Sequence, residues 1–247
     1  MTTWSRPEEG QQLGEEEVHV WRVSLKGTAE RIARMSALLN PDERQRAGRF
    51  HFEKDRVAFV LARGTLRSVL GRYLGQPPAR LRFSYNEWGK PQLLVREAEP
   101  SVDFNLSHSG EFALIAVTRG REVGVDVEHI REDFATDDVA RRFFSDREYR
   151  ELSCVDAGRR PRAFFDCWTR KEAFIKAVGQ GLSFPLAQFV VSLQPGEPAA
   201  LLHIEGHPEE LPQWTLRELS VHPDYAAAVA VKGRPWNLRC LDWQDAT

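Results

Sequence analysis

The strongest periodicity in the chain lies between Phe164 and Val178. At about 100° per residue, Phe164, Trp168, Ile175 and Val178 share one apolar arc, and Gly179 follows where a helix end favours a left-handed residue. The pattern predicts a helix from about Pro161 to Val178. Lys171 falls inside its apolar arc, with Glu172 and Lys176 along the edge as an i,i+4 pair. A buried stripe does not ordinarily contain a lysine, so something anionic must meet Lys171. A second amphipathic helix is predicted from Lys54 to Leu74, with Val57, Leu61 and Leu70 inward. Its Arg56, Arg63 and Arg67 form a basic row that reads, taken alone, as a solvated face. Shorter helices are expected through Ile32 and Leu39, after the cap Asn40-Pro41, over Asp137 to Phe144, and at the capping box of Ser145 and Glu148.

Between these helices the period falls to two. Strands are predicted at Val18–Leu25, Leu81–Tyr85, Gln92–Val95, Val102–Leu106, Glu111–Thr118 and Glu122–Glu128, and again at Phe189–Leu193, Leu201–Glu205, Trp214–Leu219, Tyr225–Val231 and Trp236–Trp243. Asn86 to Pro91 has the composition of a turn, and Ser107-His108-Ser109-Gly110 is expected at a hairpin bend. Strands and helices come in blocks, which places the chain in the α+β class with largely antiparallel sheet. Residues 1–17, rich in Glu, Gln and Gly, read as a mobile leader, and the pattern shifts near Gly120.

Composition narrows the function classes. With 247 residues and 42% apolar positions there is enough material for a large core or two compact halves. A net charge of −2 excludes a polycationic nucleic-acid binder. The three cysteines, Cys154, Cys167 and Cys240, lack metal-ligand spacing and suit a reducing compartment. There is no apolar core of a signal peptide and no run of the ~20 apolar residues a membrane helix needs. The expectation is a cytoplasmic protein that engages neither nucleic acid nor membrane.

Three short stretches carry chemistry. In Gly124-Val125-Asp126-Val127-Glu128, strand alternation puts both valines on one face and both carboxylates on the other, roughly 7 Å apart. Alone this reads as a solvated acidic edge; beside Glu172 it favours one hard divalent cation, Mg²⁺ with Mn²⁺ as the alternative, and hence phosphate chemistry. Asn105-Leu106-Ser107-His108-Ser109-Gly110 offers several donors to a phosphate. Lys90, after Gly89, reads by itself as a turn lysine.

In order, Gly89-Lys90-Pro91, Phe104-Asn105-Leu106-Ser107-His108-Ser109, Gly124-Val125-Asp126-Val127-Glu128 and Trp168-Thr169-Arg170-Lys171-Glu172-Ala173-Phe174-Ile175-Lys176 resemble the signatures of the 4′-phosphopantetheinyl transferases. The likeness is to the double-length, surfactin-synthetase-activating type and runs from about Val18 to the C-terminus. It implies two similar subdomains related by a pseudo-twofold axis, each a mostly antiparallel sheet packed with a long helix: 18–120, the coenzyme A clamp, and 121–247, carrying metal and base. The site would lie in the cleft between them, in a monomer.

The reaction implied moves 4′-phosphopantetheine from coenzyme A, the co-substrate, to a serine of an acyl carrier protein or of carrier domains in polyketide and peptide synthetases, releasing 3′,5′-ADP. The resemblance places Asp126, Glu128 and Glu172 on Mg²⁺, and makes Glu172 and Lys176 the catalytic pair without deciding which takes the serine proton. Arg46, Arg56, Lys90, Pro91, Ser107, His108, Asp126, Lys171 and Lys176 would bind coenzyme A, Lys171 through a phosphate. Glu43 stands where a further basic ligand is expected. The acidic carrier would meet Arg141, Arg142, Arg159, Arg160 and Arg162, with Phe143 and Phe144 as an apolar anchor. The Lys-Glu-Ala form resembles the branch serving fatty-acid or broad carrier sets. Two rivals are a non-catalytic coenzyme A or carrier-protein binder of the same fold and a hydrolase giving phosphopantetheine to water.

Overall fold

A computed structural model describes residues 2–8, 10–94, 101–181 and 184–245. In chain order the elements are β1 (Trp4–Ser5), β2 (Glu17–Ser24), α1 (Ala29–Leu38), α2 (Pro41–Ala47), α3 (Glu53–Leu74), β3 (Phe83–Tyr85), β4 (Pro91–Leu93), β5 (Asp103–Ser109), β6 (Phe112–Thr118), β7 (Val123–His129), α4 (Asp137–Phe143), α5 (Asp146–Ser153), α6 (Arg160–Val178), β8 (Phe189–Val191), β9 (Leu201–Ile204), β10 (Trp214–Glu218), β11 (Tyr225–Lys232) and β12 (Asn237–Asp242). The expected strand from Gln92 reaches Leu93; Val95 lies outside the described residues.

The expected duplication is visible in the topology. In the first half, β2 is followed by three helices, the small hairpin β3–β4, then β5 and β6, with spatial order β2-β6-β5. In the second, β7 is followed by three helices, the small hairpin β8–β9, then β10 and β11, with order β7-β11-β10. In both, the first strand pairs antiparallel with the last and the third helix is the long one. The two sheets face each other across Val18, Val20, Leu114, Val125, Val127 and Val229. Helix α3 covers the outer face of the first sheet through Leu61, Leu66 and Leu70 against Trp21 and Ile115. Helix α6 covers the second through Phe174 and Ala177 against Ala228 and Ala230. Alternation along each strand therefore feeds two cores at once, and the result is four layers, helix–sheet–sheet–helix.

Two expectations are corrected. The leader is part of the sheet: Trp4 and Ser5 pair parallel with Cys240 and Leu241, the Trp4 indole donates to Ser220 O at 2.6 Å, and Leu13 is buried. An open sheet edge and two apolar side chains hold this otherwise polar segment. The last strand also crosses the expected boundary. Strand β12 pairs parallel with β2, so the end of the second half completes the first half's sheet.

Two arginines of the basic row of α3 are not solvated. Arg63 and Arg67 are buried, and Glu43 of α2 takes both, Arg63 Nε at 2.6 Å and Arg67 Nε at 2.7 Å. Glu43 also closes the capping box on Asn40. Its own burial raises its pKa, and the two guanidiniums with the Asn40 N–H outweigh this, leaving it below the ordinary carboxylate value. Glu43 is thus the counter-charge of α3. Among the described residues no helix is long and apolar enough to cross a membrane. Replacing Glu43 by Ala leaves two buried guanidiniums unpaired and should cost roughly 3–5 kcal/mol in chemical denaturation, whereas exposed Glu30→Ala on α1 should cost under about 1 kcal/mol.

Candidate active site at the seam

Strands β5 and β7 run side by side at the junction of the halves, joined by side chains. Asn105, Ser107 and Ser109 alternate along β5 and all face β7. Asn105 Oδ1 accepts from Val125 N at 3.0 Å, Ser107 Oγ donates to Asp126 Oδ1 at 2.7 Å, and Ser109 Oγ donates to Glu128 Oε2 at 2.7 Å. The Ser109 hydroxyl also accepts from His129 N at 3.1 Å. This corrects the expected bend: β5 continues through Ser109, and the chain turns at Gly110, where φ is 54° and an added Cβ would meet the Tyr225 hydroxyl at 2.3 Å.

Helix α6 closes over the seam. Val125 and Val127 point into the apolar layer between the sheets, which turns Asp126 toward α6 and buries it. Gly124 lets the helix backbone come down on β7: a Cβ there would lie 2.1 Å from Ala173 O and 2.3 Å from Ala177 N. Lys176, one helical turn beyond Glu172, then reaches Asp126 Oδ1 at 2.5 Å and Ser107 Oγ at 3.1 Å. Asp126 Oδ2 is buried with no hydrogen-bond partner.

The electrostatics follow from this crowding. Burial, then the Asp126 charge, raises Glu172 to about 7, with Glu128 adding and Lys176 opposing. Burial and Asp126 likewise raise Glu128 to about 6, against the Ser109 hydrogen bond and Lys176. Burial opposes the charge on Lys176, but Asp126, Glu172 and Glu128 outweigh it, so its pKa lies above the ordinary value. His108, next to Ser107 on β5, is held below its ordinary value by burial and by Lys176 and Arg46. Among the described residues no three acidic, histidine or cysteine side chains form a ready-made metal cage. The orphaned Asp126 oxygen, with Glu128 and Glu172 whose pKa values burial and Asp126 raise, is nevertheless an all-oxygen donor set of the kind a hard divalent cation takes.

Asp126, Glu128, Glu172, Lys176 and Ser107 thus come together at the seam, with His108 within the field of Lys176, whereas Arg46 lies over the Phe59 ring and bears on His108 alone. Others expected there are engaged elsewhere. Lys171 is buried on another side of α6, paired with Glu148 Oε2 at 2.8 Å, so the anion it requires comes from α5 and not from a coenzyme A phosphate. The Lys90 ammonium donates to Ala177 O at 2.9 Å and Val123 O at 3.4 Å, which seats it between a C-terminal carbonyl of α6 and the start of β7. Asn86, of the same turn, donates to Gly179 O at 2.8 Å, and Pro91 lines the adjoining cleft. Arg56 is tied to Glu53 at the surface of α3 by a 2.8 Å bond from Nε. Of the expected carrier anchor, Phe144 is a core residue and Phe143 packs edge-on to Trp168. Sequence reasoning missed Asn105 and Ser109 as the residues tying β5 to β7, although their period of two with Ser107 was there to be read.

Two outcomes follow from this geometry. Gly124→Ala must push α6 off β7 and should cost about 2–3 kcal/mol in chemical denaturation. Glu172, with a folded pKa raised from 4.5 to about 7, costs stability as it ionises, nothing below the lower value and the whole amount above the upper one. In chelator, Glu172→Gln should therefore be more stable than the wild type by up to about 3 kcal/mol near pH 8, with the gain gone near pH 4.

Two family models match the chain. A 4′-phosphopantetheinyl transferase N-terminal model covers residues 24–120, and a 4′-phosphopantetheinyl transferase superfamily model covers residues 122–230. The 4′-phosphopantetheinyl transferase HetI of Nostoc sp. is 40% identical over 95% of this chain and 95% of its own. The 4′-phosphopantetheinyl transferase Sfp of Bacillus subtilis is 32% identical over 79% of this chain and 88% of its own. The human L-aminoadipate-semialdehyde dehydrogenase-phosphopantetheinyl transferase is 29% identical over 78% of this chain and 67% of its own. With a relative matched almost end to end and the acidic strand and Lys-Glu-Ala helix brought to one seam, the chain belongs to the 4′-phosphopantetheinyl transferase family.

Proposed function

We propose that this chain transfers 4′-phosphopantetheine from coenzyme A to a serine hydroxyl of a carrier protein. The observation that supports it best is Asp126, buried at the seam with one oxygen held by Ser107 and Lys176 and the other without a partner. Asp126, Glu128 and Glu172 would hold a divalent cation, Mg²⁺ or Mn²⁺. When bound there, the ion supplies positive charge to the phosphoryl oxygens and the departing diphosphate oxygen.

The chain's own residues would divide the remaining work. Lys176 stays protonated beside Asp126 and sets its ammonium against a phosphate oxygen, as Ser107 and His108 present donors to the same group. That leaves Glu172 as the base. The serine Oγ forms a bond to the phosphorus bearing pantetheine as its proton passes to the Glu172 carboxylate. The bond from that phosphorus to the bridging oxygen breaks, and its electron pair leaves with 3′,5′-ADP. Arg46 lies close enough to His108 to bear on its charge and would extend the anion site toward α2. Both halves of the seam come from one chain, which supports a monomer, and three free cysteines accord with the cytoplasm. Acyl carrier proteins and synthetase carrier domains are the proposed partners.

Intact-protein mass spectrometry of apo-carrier proteins incubated with the chain, coenzyme A and Mg²⁺ tests the proposal. The expected outcome is a gain of one phosphopantetheinyl group, lost with EDTA and reduced at least about 100-fold in Asp126→Ala. Bound coenzyme A with no carrier shifted would support a non-catalytic binder, and coenzyme A consumed without a shift would support a hydrolase.

A further inference from the structure

The buried pair Lys171–Glu148 lies outside the seam, and its hydrogen bonding is complete. Lys171 Nζ contacts Glu148 Oε2 at 2.8 Å, Leu186 O at 2.7 Å and Phe189 O at 2.6 Å, one acceptor for each of its three N–H bonds. Its ammonium also stands 4.1 Å from the centroid of the Phe189 ring. Glu148 Oε1 accepts from Val191 N at 2.8 Å, and Oε2 accepts from Ser145 N and Ser145 Oγ, each at 2.8 Å. Lys171 is 1% exposed and Glu148 fully enclosed. Lys171 thus joins α6 by one bond to α5 and by two to the segment entering and forming β8, while Glu148 adds one bond to β8 and closes its own capping box with the other two.

A buried ion pair is a poor source of stability, because desolvation offsets most of the attraction and well-packed apolar side chains serve as well. What it supplies is a fixed geometry. Here it fixes the helix that carries the site: Lys171 and Glu172 are consecutive, and about 100° of helical rotation separates them. On the seam side, α6 is located by the backbone contact at Gly124, which limits its distance from β7. That contact, with the backbone of Ala173 and Ala177, sets the distance of the helix but not by itself its rotation. Rotation is set from behind by buried polar side chains, Lys171 through its three bonds and Arg170 through its Nη1 bond to Ser192 O at 2.6 Å.

We infer that Lys171 and Glu148 are positioning residues, locking the rotation of α6 so that Glu172 and Lys176 face Asp126. This rests on the transferase reading for its kinetic test and stands on geometry for its structural one. Either single replacement by an apolar residue strands a buried charge, so the informative variant is the double one, Lys171→Met with Glu148→Gln, which keeps volume and removes both charges. Lys171→Arg is the companion: it keeps the charge, but a planar guanidinium cannot meet three acceptors placed around a point.

Folded double variant should lose about 10- to 100-fold in kcat, as a misplaced catalytic group does, with KM for coenzyme A within about twofold. By calorimetry its affinity for Mn²⁺ should fall about tenfold, since the ligand geometry is loosened. Wild-type kcat and Mn²⁺ affinity in a folded double variant would overturn the inference. Should that variant fail to fold, Lys171→Arg decides on the same two readouts, with a loss of about threefold or more expected and wild-type values overturning it. A wild-type protein that modifies no carrier would sink the transferase reading and leave the Mn²⁺ comparison to judge the positioning role.

Discussion

The approach of α6 to β7 governs the second half of the molecule. A helix can lie with its backbone against a strand only where the strand has no side chain in the way, and Gly124 is that place. Two residues further along the same strand, Asp126 comes beneath Lys176, and Glu128 follows at the next outward position. Had the helix stood one side-chain layer higher, a lysine could still have reached the strand, but a shorter glutamate could not have shared its field. Charge proximity at the site is thus a packing result before it is an electrostatic one.

Both halves handle buried charge by the same rule. In the first, Glu43 of a short helix neutralises Arg63 and Arg67 of the long one; in the second, Glu148 of a short helix neutralises Lys171 of the long one. In each case the carboxylate is also the N3 residue of a capping box, so a single side chain caps the start of one helix and orients another. Both oxygens of each of these carboxylates are engaged, in contrast with the seam. There Asp126 keeps an orphaned oxygen and the carboxyls of Glu128 and Glu172 are driven upward by burial and by Asp126. Among the described residues the other buried orphans are guanidinium nitrogens of Arg31, Arg67 and Arg160, so Asp126 holds the orphaned acceptor, and an unsatisfied carboxylate oxygen in a cleft marks a place where a ligand can complete the structure.

The seam is also where the halves become one molecule. Strand β7 has its hydrogen-bonded neighbour β11 on one side, and on the other the side chains of β5. The hairpin turn bearing Asn86 and Lys90 grips the C-terminal end of α6 from the first half, and β12 returns from the second half to flank β2. The division into two units is therefore topological, since strands, turns and side chains of each half complete the other.

What could be read from the sequence was whatever depends on short-range order. The 3.6-residue period located α3 and α6, and their Gly caps were evident. Alternation put the valines of β7 on one face and its carboxylates on the other, and Asn40 and Ser145 announced the starts of α2 and α5. The spacing of four between Glu172 and Lys176 placed both on one side of a helix. None of this depends on which other part of the chain packs nearby. Partnership does, and only the tertiary structure decided it. A lysine in an apolar stripe requires an anion, but the stripe does not say whether that anion is a ligand phosphate or Glu148, which lies 23 residues earlier in the numbering. A basic helix face looks solvated until Glu43 is seen to cover it, and a polar leader looks loose until an open sheet edge accepts Trp4. Periodicity fixes the direction of a side chain relative to its own backbone; burial and charge pairing depend on what the fold brings opposite it.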